Sequence, residues 1–160
     1  MCFKLDIYFK SQLSLNFQAG GEEFAVAYEN TYKMPIIVTH TMNVFGGRQT
    51  PEKFIPHVVG MVRDGKTILI HSNPTKTKPG SRHYIHVTDV VDGLLFLLNL
   101  PKEYKHVGEY GGAKCPKFNL AGPEEIDNLE LAQIIADAMG MELKYEMIDF
   151  HSNRPGHDLR

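Results

Sequence analysis

The run Pro35-Ile36-Ile37-Val38-Thr39 constrains the fold more than any other stretch of this chain. It is short, apolar and β-branched, with no polar alternation. That is the pattern of a strand buried on both faces, as in a parallel sheet. Upstream, a helix is expected from Ala19, with Glu22 and Glu23 complementing its first turn and Phe24, Tyr28 and Thr31 or Tyr32 recurring at helical spacing. Downstream, Thr50 suits an N-cap, Pro51 the first helical position and Glu52 the dipole. Phe54, Ile55, Val58, Val59 and Val62 give this second helix one apolar face, and Gly65 gives it a stop. Pro56 lies inside the pattern, where a kink or a restart is expected.

The alternation continues. Thr67 to His71 reads as a strand, Ser72 to Ser81 as a proline- and glycine-bearing loop, and His83 to Val87 as another strand. Thr88 is the expected cap of a helix carrying Val91, Leu94, Leu95 and Leu98, which ends before Pro101. Lys102 to Pro116 is polar and glycine-rich and reads as a loop; Lys117 to Leu120 is a strand entering the Ala121-Gly122-Pro123 turn. Asp127 and Glu130 stand in capping-box relation before Leu131, Ile134, Ile135 and Ala138, with Gly140 past the helix end. Leu143 to Ile148 closes as a strand. Strands and helices alternating at these lengths predict an α/β architecture. The first eighteen residues fit no such period.

Composition narrows the function classes. A chain of 160 residues suffices for one cored domain or for half of a larger enzyme. A net charge of -2 argues against a nucleic-acid surface. The longest apolar run, Val90 to Leu98, is broken by Asp92 and Gly93 and is too short for a bilayer, so no membrane partner is expected. Cys2 and Cys115 make no disulfide framework, nothing resembles a secretory signal, and a reducing cytoplasm is the expected compartment. No metal is expected: His83 and His86 would face opposite sides of a strand, and Cys115 has no ligand partner at a suitable spacing.

Four places could carry chemistry. Asn43 falls just past an expected parallel strand, where open α/β sheets bind ligands, and its amide can both donate and accept. Arg82 begins a strand beside a loop, where a guanidinium suits bidentate contact with a diphosphate. Asn119 is an amide at a strand end, and Arg154-Pro155-Gly156-His157-Asp158 joins a rigid turn to a guanidinium and an imidazole. Read singly, these are also ordinary turn and surface residues. Together they resemble the sugar-nucleotide-binding segments of the extended short-chain dehydrogenase/reductase family, NAD-dependent epimerase/dehydratase type, nearest to enzymes like dTDP-glucose 4,6-dehydratase. Asn43 to Gly46 and Pro51-Glu52-Lys53 match its Asn-x-Tyr-Gly and Pro-Glu-Lys elements, with Phe45 in place of tyrosine. Arg82 to Asp89 resembles its Arg-x-x-x-x-Val-x-Asp element, and Phe118-Asn119-Leu120-Ala121-Gly122 its Tyr-Asn-x-Gly-Gly element. The resemblance implies substrate-binding roles for Asn43, Lys53, Arg82, Asn119, Arg154 and His157, with a nucleotide-diphosphate sugar as ligand and NAD as the intact enzyme's cofactor. It also implies a homodimer, or association with an intact relative, as the assembly.

Two family parts are missing from the sequence. No Gly-x-x-Gly-x-x-Gly loop follows a strand, and the positions of the Tyr-x-x-x-Lys pair hold Ser14 and Gln18. Serine is too weak an acid unaided and glutamine carries no charge, so no catalytic residue is assigned and the chain by itself lacks the means to cradle NAD. The resemblance covers Ala19 to Arg160. The expectation is a piece of a longer enzyme: 1–18 atypical, 19–65 the later part of a Rossmann-type domain, and 66–160 mainly a substrate-binding lobe, with strands near 84–86 and 118–120 returning to the sheet. The expected function is the substrate-binding half of a nucleotide-sugar dehydratase or epimerase. The alternative is a non-catalytic or vestigial binding fragment or partner subunit. Unpaired strand edges would make such a piece poorly soluble alone.

Overall fold

The computed structural model describes residues 19–100 and 115–150. Helix α1 covers 19–32. Then come β1 (Val38–Thr41), β2 (Val44–Phe45), α2 (Phe54–Arg63), β3 (Ile68–Ser72), β4 (Ser81–His83), β5 (Ile85–His86), α3 (Val87–Asn99), β6 (Lys117–Leu120), β7 (Glu125–Asp127), α4 (Asn128–Ala138) and β8 (Tyr145–Asp149). Four strand pairs form: β1 with β6, β2 with β5, β3 with β8, and β4 with β7. The β2–β5 and β3–β8 pairs are parallel, and β4–β7 is antiparallel. The expected α/β class with parallel pairing is therefore present.

The chain divides into two compact units, one from residues up to His40 and Leu94–Asn119, the other from Thr41–Gly93 and Leu120 onward. In the first, Val38 donates its N–H to the Pro116 carbonyl at 2.9 Å, where the β1–β6 pairing begins. Strand β1 starts three residues later than the run from Pro35 suggests and is only half-buried, because pairing with β6, not local apolarity, sets its start. Glu22 ties α1 to both strands: His40 Nε2 lies 3.0 Å from one carboxylate oxygen, and the Lys117 ammonium donates to the other. The Lys117 hydrogen bond, then that of His40, holds the Glu22 carboxyl below its ordinary 4.5. A carboxylate with a depressed folded-state pKa stabilises the fold above its ordinary pKa, and that contribution disappears as pH falls through the lowered value. The unfolding midpoint should therefore drop on acidification below about pH 4.5, and Glu22→Gln should flatten that drop; thermal unfolding between pH 3 and 6 checks it. The predicted period of α1 is correct but its apolar residues face outward, with Phe24, Tyr28 and Tyr32 all exposed and Glu29 buried instead.

The core of the second unit lies where α2 and α4 cover the β3–β8 pair. Val58 and Val62 of α2, Ile68 and Ile70 of β3, and Ala132 and Ala136 of α4 are buried together. Strand β3 alternates strictly, with Ile68, Ile70 and Ser72 inward. Helix α2 begins after Lys53, not at Thr50, because residues 51–52 form a turn in which the Lys53 N–H bonds the Thr50 carbonyl. Pro56 then falls in the first helical turn, where its missing N–H has no intrahelical partner to lose. Asp127 caps α4 as expected, accepting the Glu130 N–H at 2.8 Å. Its inward face is Ala132 and Ala136 with Leu129 and Ile135; Ile134 points to solvent. Gly65 and Gly140 both take the left-handed conformation just past α2 and α4, as expected.

The single strand expected over His83 to Val87 is two. Chain direction breaks at Tyr84, so that β4 pairs with β7 while β5 pairs with β2. Helix α3 follows at once from Val87. Thr88 is not its cap: the His86 Nδ1 accepts the Thr88 N–H at 3.3 Å instead.

Candidate functional site

The break at Tyr84 shapes a cavity of about 460 Å³ in the second unit. Three of the six residues singled out in the sequence line it: Asn43 before β2, Lys53 at the start of α2, and Arg82 in β4. Asn119 is exposed on β6 and is not among the lining residues. Arg154 and His157 lie outside the described residues.

Each side chain is presented by local backbone. Asn43 has φ of 44°, a left-handed turn that asparagine tolerates, and its amide Nδ2 donates to the His83 carbonyl at 3.4 Å. Its carbonyl oxygen is thereby left as an acceptor. Gln49 has the same polarity, since Nε2 donates to the Val44 carbonyl at 2.8 Å and leaves Oε1 available. The β4–β7 register sets Arg82 opposite Ile126, not opposite an acid. The neighbouring acids are occupied elsewhere: Glu125 accepts from Ser81, and Asp127 caps α4. Among the described residues Arg82 keeps only a 2.6 Å bond to the Ser81 carbonyl. Among the described residues neither Lys53 nor Arg82 has a carboxylate partner. Two unpaired cations beside amide groups suit an anionic ligand with polar ends.

Sequence reasoning passed over Asn128, Tyr84 and Gln49, which line the same cavity. For Asn128 the signal was present, an amide directly after a capping aspartate at a helix N-terminus. Tyr84 and Gln49 carried none, because only the folded chain turns them inward. Burial pushes the Tyr84 hydroxyl above its ordinary 10.0, with the Arg82 charge acting against it, so at neutral pH it is a protonated donor.

The described helix starts do not fit a dinucleotide. Helices α2, α3 and α4 follow Lys53, His86 and Asp127, with no glycine-rich turn, and the Asp127 carboxylate already occupies the start of α4. Among the described residues no helix is long and apolar enough to cross a membrane.

Comparison with known proteins gives the chain its relatives. Residues 18–111 match the NAD dependent epimerase/dehydratase family. A dTDP-glucose 4,6-dehydratase from Actinoplanes sp. is 32% identical over 143 residues, which is 89% of this chain and 39% of that enzyme. The human dTDP-D-glucose 4,6-dehydratase is 28% identical over 147 residues, 89% of this chain and 38% of its own length. Among solved structures, the Streptomyces venezuelae dTDP-glucose 4,6-dehydratase DesIV with NAD and TYD bound superposes with a TM-score of 0.65 at 29% identity, over 89% of this chain and 39% of that one. A Thermus thermophilus UDP-glucose 4-epimerase in complex with NAD shares the fold, with a TM-score of 0.69 at 20% identity, over 89% of this chain and 42% of that one. The chain thus spans about 39% of the length of the relatives it matches. Its mixed α/β fold with parallel strand pairs matches that of these Rossmann-like dehydratase and epimerase relatives.

Proposed function

This chain belongs to the NAD dependent epimerase/dehydratase family, and from that premise we propose that it is the substrate-binding half of a nucleotide-sugar dehydratase or epimerase, of the dTDP-glucose 4,6-dehydratase type. The observation that carries the proposal is the cavity in which Lys53 and Arg82 stand unpaired beside Asn43 and Asn128. The cations supply charge for a diphosphate; the acceptor ends of Asn43 and Gln49 suit hydroxyl or N–H groups of the sugar or nucleoside. Asn119, Arg154 and His157 are proposed as substrate-binding residues from their matching family motifs alone. NAD supplies hydride chemistry in an intact enzyme of this kind. No step of that chemistry is assigned to this chain, whose described residues bind and orient.

A second reading, a non-catalytic binding module or partner subunit, is favoured by Ser14 and Gln18 standing where tyrosine and lysine are expected. The exposed Phe24, Tyr28 and Tyr32 of α1 support association with a second copy or an intact relative. Calorimetric titration of the full chain with dTDP and with UDP tests what both readings share. Binding is expected, and Arg82→Ala should weaken it roughly tenfold to a hundredfold, the loss of a charge-assisted hydrogen bond. Absence of binding to either nucleotide, or an Arg82→Ala variant of unchanged affinity, would overturn the site. Conversion of the nucleotide sugar with NAD added, with no net change in the cofactor, would separate the enzyme from the binding module.

A further inference from the structure

Every backbone and side-chain constraint around Asn128 is accounted for except the direction of its amide, and Tyr84 supplies that. The Asn128 N–H bonds the Gly80 carbonyl at 2.9 Å, and the capping bond from Asp127 fixes the helix turn that follows. The Tyr84 hydroxyl donates to Asn128 Oδ1 at 2.9 Å. An amide whose oxygen is turned toward a donor on one side presents its NH₂ group on the other. Asn128 lines the cavity, and no other hydrogen bond of its side chain is made within the described residues. Tyr84 is itself held: its ring lies 6.4 Å from that of Phe54, centroid to centroid, and its carbonyl is backed by Gly122.

We propose that Tyr84 is a positioning residue that sets the polarity of the cavity, turning the Asn128 NH₂ toward the ligand as a donor to a phosphate oxygen. The cavity is then sorted by polarity. Lys53, Arg82 and Asn128 offer donors, while Asn43 and Gln49 offer acceptors. Without the tyrosine hydroxyl, Asn128 is free to turn either end inward, and an inward carbonyl would repel the phosphate oxygens that the two cations attract. This inference rests on the nucleotide-diphosphate reading given above.

The test is a double-mutant cycle on the full chain, with dTDP as the probe and calorimetry as the readout. Tyr84→Phe should raise Kd several-fold to about tenfold, the scale of one hydrogen bond. In an Asn128→Ala background the same change should do almost nothing, a coupling that a merely structural loss would not produce. Asn128→Asp keeps the shape and the bond from Tyr84 but presents an anionic oxygen to the diphosphate; it should weaken binding more than Asn128→Ala. That second variant reads the same polarity even if Tyr84→Phe fails to fold. Unchanged affinity in Tyr84→Phe, effects that simply add across the cycle, or an Asn128→Asp variant that binds as well as the parent would each overturn the inference while nucleotide binding by the parent stood. No dTDP binding by the parent would overturn the inference together with the reading of the site.

Discussion

Replacing Gly122 by alanine is expected to cost about 3 kcal/mol or more of stability, at the upper end of overpacking effects. A Cβ at this position would stand 1.9 Å from the Tyr84 carbonyl oxygen and 2.9 Å from its carbon, and both are backbone atoms that no rotamer change can move aside. The turn at 121–123 would have to withdraw from the chain between β4 and β5. The His83 ring, whose Nδ1 donates to the Gly122 carbonyl at 3.0 Å, would lose its anchor in the same movement. Denaturant unfolding should show the loss as a lower midpoint, and titration with dTDP should show weakened binding, since Arg82 and Tyr84 flank the displaced backbone. A Gly122→Ala protein as stable as its parent would contradict the packing described for this junction.

Ile70→Ala should be nearly as damaging, by the opposite physics. Ile70 is fully buried at the centre of β3, between the helices α2 and α4. Truncation removes three carbon atoms from a site whose walls are the backbone-anchored parallel pair β3–β8, which has little freedom to collapse around the void. The expected cost is about 2–5 kcal/mol, the range for large-to-small core substitutions. Leu69, one residue away and half-exposed on the other face of the strand, provides the control: Leu69→Ala should cost far less, and equal losses for the two variants would mean that β3 does not present Ile70 inward.

Local chemistry was legible in the sequence where it was self-contained. Asp127 with Glu130, Gly65 and Gly140 past their helices, and the strand Lys117–Leu120 all stand where the residues themselves dictate. Features decided by distant partners were not. Strands β2 and β7 have two and three residues, and exist only because β5 and β4 lie beside them. Nothing in Ser81 to Thr88 announces a break at Tyr84; it depends on Gly122, 38 positions later, coming within contact of that backbone. In α1 the period was readable but its direction was not, because Phe24, Tyr28 and Tyr32 look the same to a pattern whether they face a core or the outside. The site followed the same division. Asn43, Lys53 and Arg82 could be picked from motif resemblance, whereas Tyr84 and Asn128 matter through a bond between residues 44 positions apart.

The break at Tyr84 also governs how the length of this segment can vary. Three residues before it are in antiparallel register with β7, and two after it are in parallel register with β2. Inserting or deleting one residue between Ser81 and His86 would shift one of those registers against the other and turn Arg82 or Ile85 to the wrong side of its strand. Changes in length must therefore be absorbed before Ser81, in the 73–80 loop, where the Asn73 side chain already gathers the Thr77 and Lys78 N–H groups into a closed turn. The cavity wall is thus a fixed-length ruler, set between a loop that can lengthen and a helix that cannot start anywhere else.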